Sequence, residues 1–368
     1  MKISRIAQVG AVAAVAALAL AGCAANETAP GDTGGTTSDL SGEIAGGGSS
    51  AQEVAVQAWT AGFQTANPDV TITYDPSGSG AGRESFQAGA FPFAGSDRAF
   101  TIEEIEAGPF DACVDGSGII ELPTYISPIA VIFNIEGVDA LNLDAAAIAG
   151  LMAGTITNWN DPAIAALNEG VTLPDLAVTP VHRADDSGTT ENFTDYLFQA
   201  AGDVWTSEPD GVWPLSSGEA AQGTSGVVSA VAGGNGTIGY ADASRAAEEG
   251  LSTAAVKVGD EFVEYSPEAA AAIVDASPLE EGRGEGDLAI ELQRTSDEAG
   301  VYPIVLVSYM IACQEYADAA VAPIVKGYLQ HVASAEGQDA AAEAAGSAPI
   351  SDTLREQVNA AIDLIVTD

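Results

Sequence analysis

The sequence predicts an α/β protein with room for two domains, and three observations carry this. Short β-rich runs alternate with helical stretches along the chain. Its 368 residues exceed the roughly 100–200 that a single domain usually takes. Beyond the N-terminus no further low-complexity linker interrupts it, so any two domains must be joined by ordered crossings rather than by a tether. With 47% apolar residues and 41 glycines, the composition is that of a folded protein with many turns, and not of a disordered or collagen-like one.

The N-terminus reads as a processing segment. Lys2 and Arg5 precede the apolar run Val9 to Ala21, which is too short to span a bilayer and marks residues 1–22 as a signal peptide. The run ends in Leu20-Ala21-Gly22-Cys23, which resembles a bacterial lipobox, in which the thiol receives a lipid before cleavage. A buried structural cysteine is the alternative for Cys23. Residues 23–43, spanning AANETAPGDTGGTTSDLSG, lack apolar periodicity and read as a flexible tether, with ordered structure expected to begin near Ile44. No later segment reaches about 18 uninterrupted apolar residues, so the lipid is the one expected anchor, on the extracytoplasmic face.

From there the elements follow in order. Gln52 to Phe63 reads as a helix, Val70 to Tyr74 as a strand, and Ile119 to Leu122 and Tyr125 to Phe133 as two further strands. Ala145 to Ala153 and Pro162 to Leu167 are helical, Ala177 to Val181 is a strand, and Glu191 to Ala200 is a helix. Ile304 to Ile311 is a strand and Ala317 to Ser334 a helix. Cys113 and Cys313 form an even pair in an exported chain, so a disulfide is expected, with two independent buried thiols as the alternative. Closing a loop of that length stabilises by about 5 kcal/mol in the chain-entropy model.

Charge narrows the partners. Taking Lys2 and Arg5 from the 11 cations leaves nine against 53 acidic residues, a formal charge of −44 for the mature chain. Nucleic acid is excluded as a partner by that charge, and the few arginines become informative.

Three segments open helices with small, hydroxyl-bearing residues. Gly46-Gly47-Gly48-Ser49-Ser50-Ala51-Gln52-Glu53 ends in Ser-x-x-Glu, a capping-box pattern. Ser77-Gly78-Ser79-Gly80-Ala81-Gly82-Arg83-Glu84 follows a strand and precedes Phe86. Arg183-Ala184-Asp185-Asp186-Ser187-Gly188-Thr189-Thr190 leads into the helix carrying Phe193 and Leu197. Free N–H groups, hydroxyls and the positive end of a helix dipole stabilise a dehydrated oxyanion without net positive charge, which suits a chain this acidic. Each turn on its own reads as a plain helix cap, and it is the three together that point to an oxyanion. Arg183 has the guanidinium fork that matches two tetrahedral oxygens, or else it pairs at the surface with Asp185 or Asp186. Asp97, in AGSDR, is an ordinary turn residue on local sequence.

Together these segments resemble the substrate-binding lipoprotein of the bacterial phosphate ABC transporter. The resemblance runs in order through GGGSSAQEVAVQAW, YDPSGSGAG, AGSDRAF, PTYISPIAVIFN, AGLMAGTITNWNDPAIAALN, TPVHRADDSGTTENFTDYL, NGTIGYADAS and YPIVLVSYMIA. TITNWNDPAIAALN and RADDSGTT are its most specific parts. It implies a type II periplasmic binding protein fold, with two α/β lobes joined by two crossings near Tyr125 to Ala130 and Val301 to Val305. Residues 44–126 and 305–368 would form one lobe and 127–304 the other, which puts Cys113 and Cys313 in the same lobe. It further implies that Ser50, the Ala51 backbone, Ser79, Ser187, Gly188 and Thr189 donate to inorganic phosphate. Arg183 would supply the positive charge, Asp185 would orient it and meet the ligand, and Asp97 would accept the phosphate's own proton. Ser50-Ala51 departs from the Thr-aromatic pair of many relatives, keeping the hydroxyl but losing an apolar cover. The implied partners are the membrane permease subunits and, through Cys23, the membrane; no cofactor or metal is implied.

Three other readings compete. An exported phosphohydrolase would need clustered His and carboxylate ligands, whereas His182 and His331 are the only histidines. Nor does a G-x-S-x-G elbow surround Ser79 or Ser187. A receptor for sulfate or molybdate is separated from a phosphate receptor by Asp97 alone. An interaction protein without a ligand would have no use for the donor turns.

Overall fold

Ile119 to Asn134 form a single 16-residue strand in which every side chain but the last is buried. A continuous apolar run bounded by sheet on its edges behaves this way, and the strand is the axis of the molecule. The computed structural model describes residues 40–367; the expected signal peptide, Cys23 and all but the end of the expected tether lie outside the described residues.

In chain order the elements are β1 (Gly42–Gly48), α1 (Glu53–Ala66), β2 (Val70–Asp75), α2 (Ser79–Gln87), β3 (Phe93–Ser96), α3 (Ile102–Ala107) and β4 (Ile119–Asn134). There follow β5 (Leu141–Leu143), α4 (Ala145–Met152), α5 (Pro162–Leu167), β6 (Thr179–Arg183), α6 (Gly188–Ala200), β7 (Glu219–Ala221) and α7 (Gly223–Gly233). Then come β8 (Thr237–Asp242), α8 (Ala243–Glu248), β9 (Ser252–Val258), β10 (Glu261–Val263), α9 (Pro267–Ala276), β11 (Val305–Cys313), α10 (Ala322–Ala333), α11 (Ala335–Ala345) and α12 (Asp352–Asp363).

The strands run β2-β1-β3-β11-β4-β8-β6-β7, with β9 also pairing β4 and carrying β5 and β10. Two lobes share this sheet through β4. Its residues up to Pro128 pair antiparallel with β11, ending at Val305↔Pro128. From Ile129, which faces Asp242, it pairs with β8 instead. One lobe is sheathed by α1, α10, α11 and α12 around Trp59, Phe63, Phe93 and Tyr328, whose Phe63–Tyr328 and Phe93–Tyr328 ring centroids lie 5.6 and 5.5 Å apart. The other holds Phe133 against Trp159 and stacks Phe193 on Tyr240 at 4.3 Å.

Local chemistry accounts for where elements differ from expectation. The two strands expected either side of Pro123 are one, because a register shift between Ser308 and Tyr309 lets Tyr309 face Pro123 while Ser308 faces Tyr125. The extra residue is Thr124, whose carbonyl accepts from Gln338 Nε2 at 3.0 Å; a bulge absorbs the N–H that Pro123 lacks. The helix expected from Ala317 starts at Ala322, with Pro323 in its first turn, where a missing N–H costs nothing. β1 begins at Gly42, two residues before the expected start of order. Cys113 and Cys313 are disulfide-bonded, with Cα atoms 5.4 Å apart. Residues 279–290 run back along the start of β4, where Leu288 N donates to Glu121 O at 3.0 Å. Among the described residues no helix is long and apolar enough to cross a membrane.

Candidate functional site

The three helix starts meet at the junction of the two lobes. Ser50 and Ala51 lie on the turn between β1 and α1, 5% and 1% exposed. The expected capping box does not form there. α1 begins only at Glu53, with Gln52 as its cap and no side-chain cap bond. Ser49 Oγ instead accepts from Ala51 N at 3.1 Å. Ser50 Oγ lies 3.0 Å from Thr224 Oγ1 and accepts from Thr224 N at 3.2 Å, while Glu53 pairs with Arg245 at 2.6 Å.

Ser79 opens α2 after Gly78, whose φ of 109° belongs to glycine. Its hydroxyl accepts from Asp97 N at 3.1 Å. Ser187 caps α6, accepting from Thr190 N at 3.2 Å, and the first-turn N–H groups of Gly188 and Thr189 have no intrahelical acceptor. A Cβ added to Gly188 would lie 2.7 Å from Asp97 Cβ and 2.9 Å from Ser79 Oγ. Only a glycine lets the two helix starts approach so closely.

Arg183 ends β6 and is 3% exposed, so its ion pair is a buried one. Its Nε donates to Asp185 Oδ1 at 2.8 Å and its Nη2 to Asp185 Oδ2; no acceptor among the described residues takes Nη1. Asp185 also accepts from Gly223 N at 3.0 Å. The carboxylate therefore fixes the fork and leaves one edge of it unspent. Asp186, the other partner considered, faces Arg83 at 3.7 Å.

Asp97 follows β3 and is 3% exposed. Ser49 and Ser308 hydroxyls both donate to its Oδ1, and Thr189 Oγ1 donates to Oδ2 at 2.9 Å. All nine binding residues expected from the sequence thus converge on one locus. Sequence reading missed Ser49, Ser308, Gly223 and Thr224. Gly223-Thr224-Ser225-Gly226 opens α7 with the same small-residue pattern as the other three turns, and Ser308 is the one serine in an apolar strand; both were visible signals. Among the described residues no group of three or more His, Cys, Asp or Glu is placed to hold a metal ion.

The fold has known counterparts. The model of the PBP superfamily domain matches residues 28–336. The "Phosphate-binding protein PstS 3" of Mycobacterium leprae is 34% identical over 360 residues, 94% of this chain and 95% of the relative. The chain belongs to the PBP superfamily, in the family of the PstS phosphate-binding proteins. Another PstS relative, "Phosphate-binding protein PstS2" of Mycobacterium bovis, is 32% identical, covering 88% of this chain and 87% of its own. Among solved structures, a high affinity periplasmic phosphate-binding protein, PfluDING, bound with phosphate superposes with a TM-score of 0.70 at 21% identity, covering 87% of this chain and 93% of that one. The phosphate binding protein of Stenotrophomonas maltophilia gives 0.66 at 23%, covering 87% and 94%. At such identities these two speak for the two-lobed fold alone.

Proposed function

We propose that this chain captures inorganic phosphate outside the cytoplasm and passes it to the permease subunits of an ABC importer. The observation that carries the reading is the meeting of α2, α6 and the β1–α1 turn around Asp97 and the Arg183–Asp185 pair. Hydroxyls and helix N-termini there offer donors to a tetrahedral oxyanion, one guanidinium offers charge, and one carboxylate offers an acceptor. Membership of the PstS family supports the same ligand. In this reading Ser50, the Ala51 backbone, Ser79, Ser187, Gly188 and Thr189 donate to phosphate, Arg183 neutralises it, Asp185 orients Arg183, and Asp97 accepts the proton that phosphate retains at neutral pH.

The lobes are residues 44–126 with 305–368, and 127–304, with the segment 279–290 resting on the first. Ligand enters when they part about the crossings at Pro128–Ile129 and before Val305. The protein binds and releases its ligand without transforming it. Lipid on Cys23 holds it at the membrane after removal of residues 1–22. Calorimetric titration of phosphate-stripped mature protein with phosphate and with sulfate tests this: tight phosphate binding with sulfate refused is expected, and no heat with phosphate would end the reading.

A further inference from the structure

One side chain spans the two halves of the site. Asn192, one turn beyond Gly188 on α6, donates from Nδ2 to the Asp97 carbonyl of one lobe at 2.6 Å and to the Gly188 carbonyl of the other at 2.9 Å. Its Oδ1 accepts from Arg294 Nη2. Arg294 lies in the stretch returning towards β11 and is 3% exposed. Its Nη1 donates to the Val305 carbonyl at 2.8 Å, at the first residue of that strand, and its Nε to Asp195 Oδ2 at 2.5 Å. A row of hydrogen bonds therefore runs from the crossing at Val305 through Arg294 and Asn192 to Asp97. Both side chains also line a cavity of about 500 Å³ whose wall includes Asp97.

We propose that Asn192 and Arg294 are positioning residues that lock the two halves of the site together and set how long a bound oxyanion stays. The proposal rests on the phosphate reading above. When the lobes part, the Asn192–Asp97 bond must break, so the amide stabilises only the joined arrangement. Arg294, tied to Val305, keeps the amide oriented with its two donors towards the two carbonyls. A contact made after the ligand has entered acts on departure and leaves encounter alone.

Stopped-flow binding of phosphate to the mature protein tests this with Asn192→Ala, Asn192→Ser, Arg294→Lys and the Asn192→Ala/Arg294→Lys double variant. The dissociation rate should rise about ten- to a hundredfold for Asn192→Ala, as for loss of a buried hydrogen-bonding partner, with the association rate within about threefold of wild type. Arg294→Lys keeps a charge for Asp195 but loses the fork, and should add little in the Asn192→Ala background because the two act through one contact. If Asn192→Ala does not fold, Asn192→Ser and Arg294→Lys give the same reading. Unchanged dissociation in folded variants overturns the proposal, as does an effect confined to association. Wild-type protein that fails to bind phosphate overturns this proposal together with the phosphate reading, whereas wild-type binding beside unchanged variants overturns this proposal alone.

Discussion

Thr189 Oγ1 donates to Asp97 Oδ2 at 2.9 Å, joining the start of α6 in one lobe to the loop after β3 in the other. With Ser49 and Ser308 on Oδ1, three hydroxyls occupy a carboxylate that has about four acceptor positions. One position is left for a ligand that brings its own proton. Phosphate at neutral pH does and sulfate does not, so wild-type protein should refuse sulfate by about 10⁴-fold, the scale at which a site built around a hydroxyl rejects its absence. Asp97→Asn can donate as well as accept and should narrow that gap more than it weakens phosphate binding. Titrating both proteins with both anions decides it, and wild-type sulfate affinity within about tenfold of phosphate would refute the role of Asp97.

Arg183→Ala should weaken phosphate binding by about 2–4 kcal/mol, since charge-assisted bonds in a desolvated site are the strong kind. Asp185→Asn should weaken it less, because the guanidinium keeps its charge and loses only its orientation. Equal affinity in Arg183→Ala and wild type, by calorimetry, would reduce Arg183 to an internal partner of Asp185.

Asp242 sits where β4 changes partners, and burial pushes its carboxyl up to about 6 against the bonds donated by Ser244 and Tyr125. A folded-state value raised above the unfolded one means that the folded protein holds the proton more tightly. Stability should therefore fall as pH rises from about 4 to about 6, by at most about 3 kcal/mol from this group. Asp242→Asn can still accept from Ser244 and can donate to the Tyr125 hydroxyl, so it should flatten that part of the pH profile and stabilise the protein at pH 7. Urea unfolding across the range measures it; an identical slope in the variant would show that another group is responsible.

Removing the Cys113–Cys313 bond, whose residues are separated by 200 positions, should lower stability by about 2–5 kcal/mol. Cys113→Ser/Cys313→Ser protein, assayed below its melting temperature, should still bind phosphate, because Cys313 closes β11 beyond Ser308 and Cys113 precedes β4, both outside the turns that meet Asp97. Loss of binding in folded variant would show that the bond shapes the site.

Cys23→Ser should leave the folded body intact and free it from the membrane or block its processing. Fractionation and metabolic lipid labelling of cells test this. Wild-type protein without label, or a variant that stays membrane-bound after full processing, would remove the anchor.

How far the sequence reached depends on the range of the interactions concerned. Helix starts at Ser79 and Ser187, the strand from Val70 and the helix Pro162–Leu167 rest on glycine conformation, side-chain caps and β-branched runs, all set within a few residues, and they were legible. Arg183 and Asp185, two positions apart, were legible as a pair, though burial of that pair was not. Cys113 and Cys313, an even pair in a chain read as exported, declared their bond by number. The approach of Ser49 and Ser308 to Asp97, across 48 and 211 residues, was decided only by the tertiary structure. So was the bridge from Asn192 to Asp97, and the pairing of Ser50 with Thr224 in place of a capping box. Ser308 meets Asp97 from a strand whose register shifts beside Thr124 and Pro123, and no local rule states which strand will lie opposite that proline. Sheet register and lobe junction are properties of the whole packed chain, because a hydroxyl finds its acceptor only after the strands that carry both have been laid side by side.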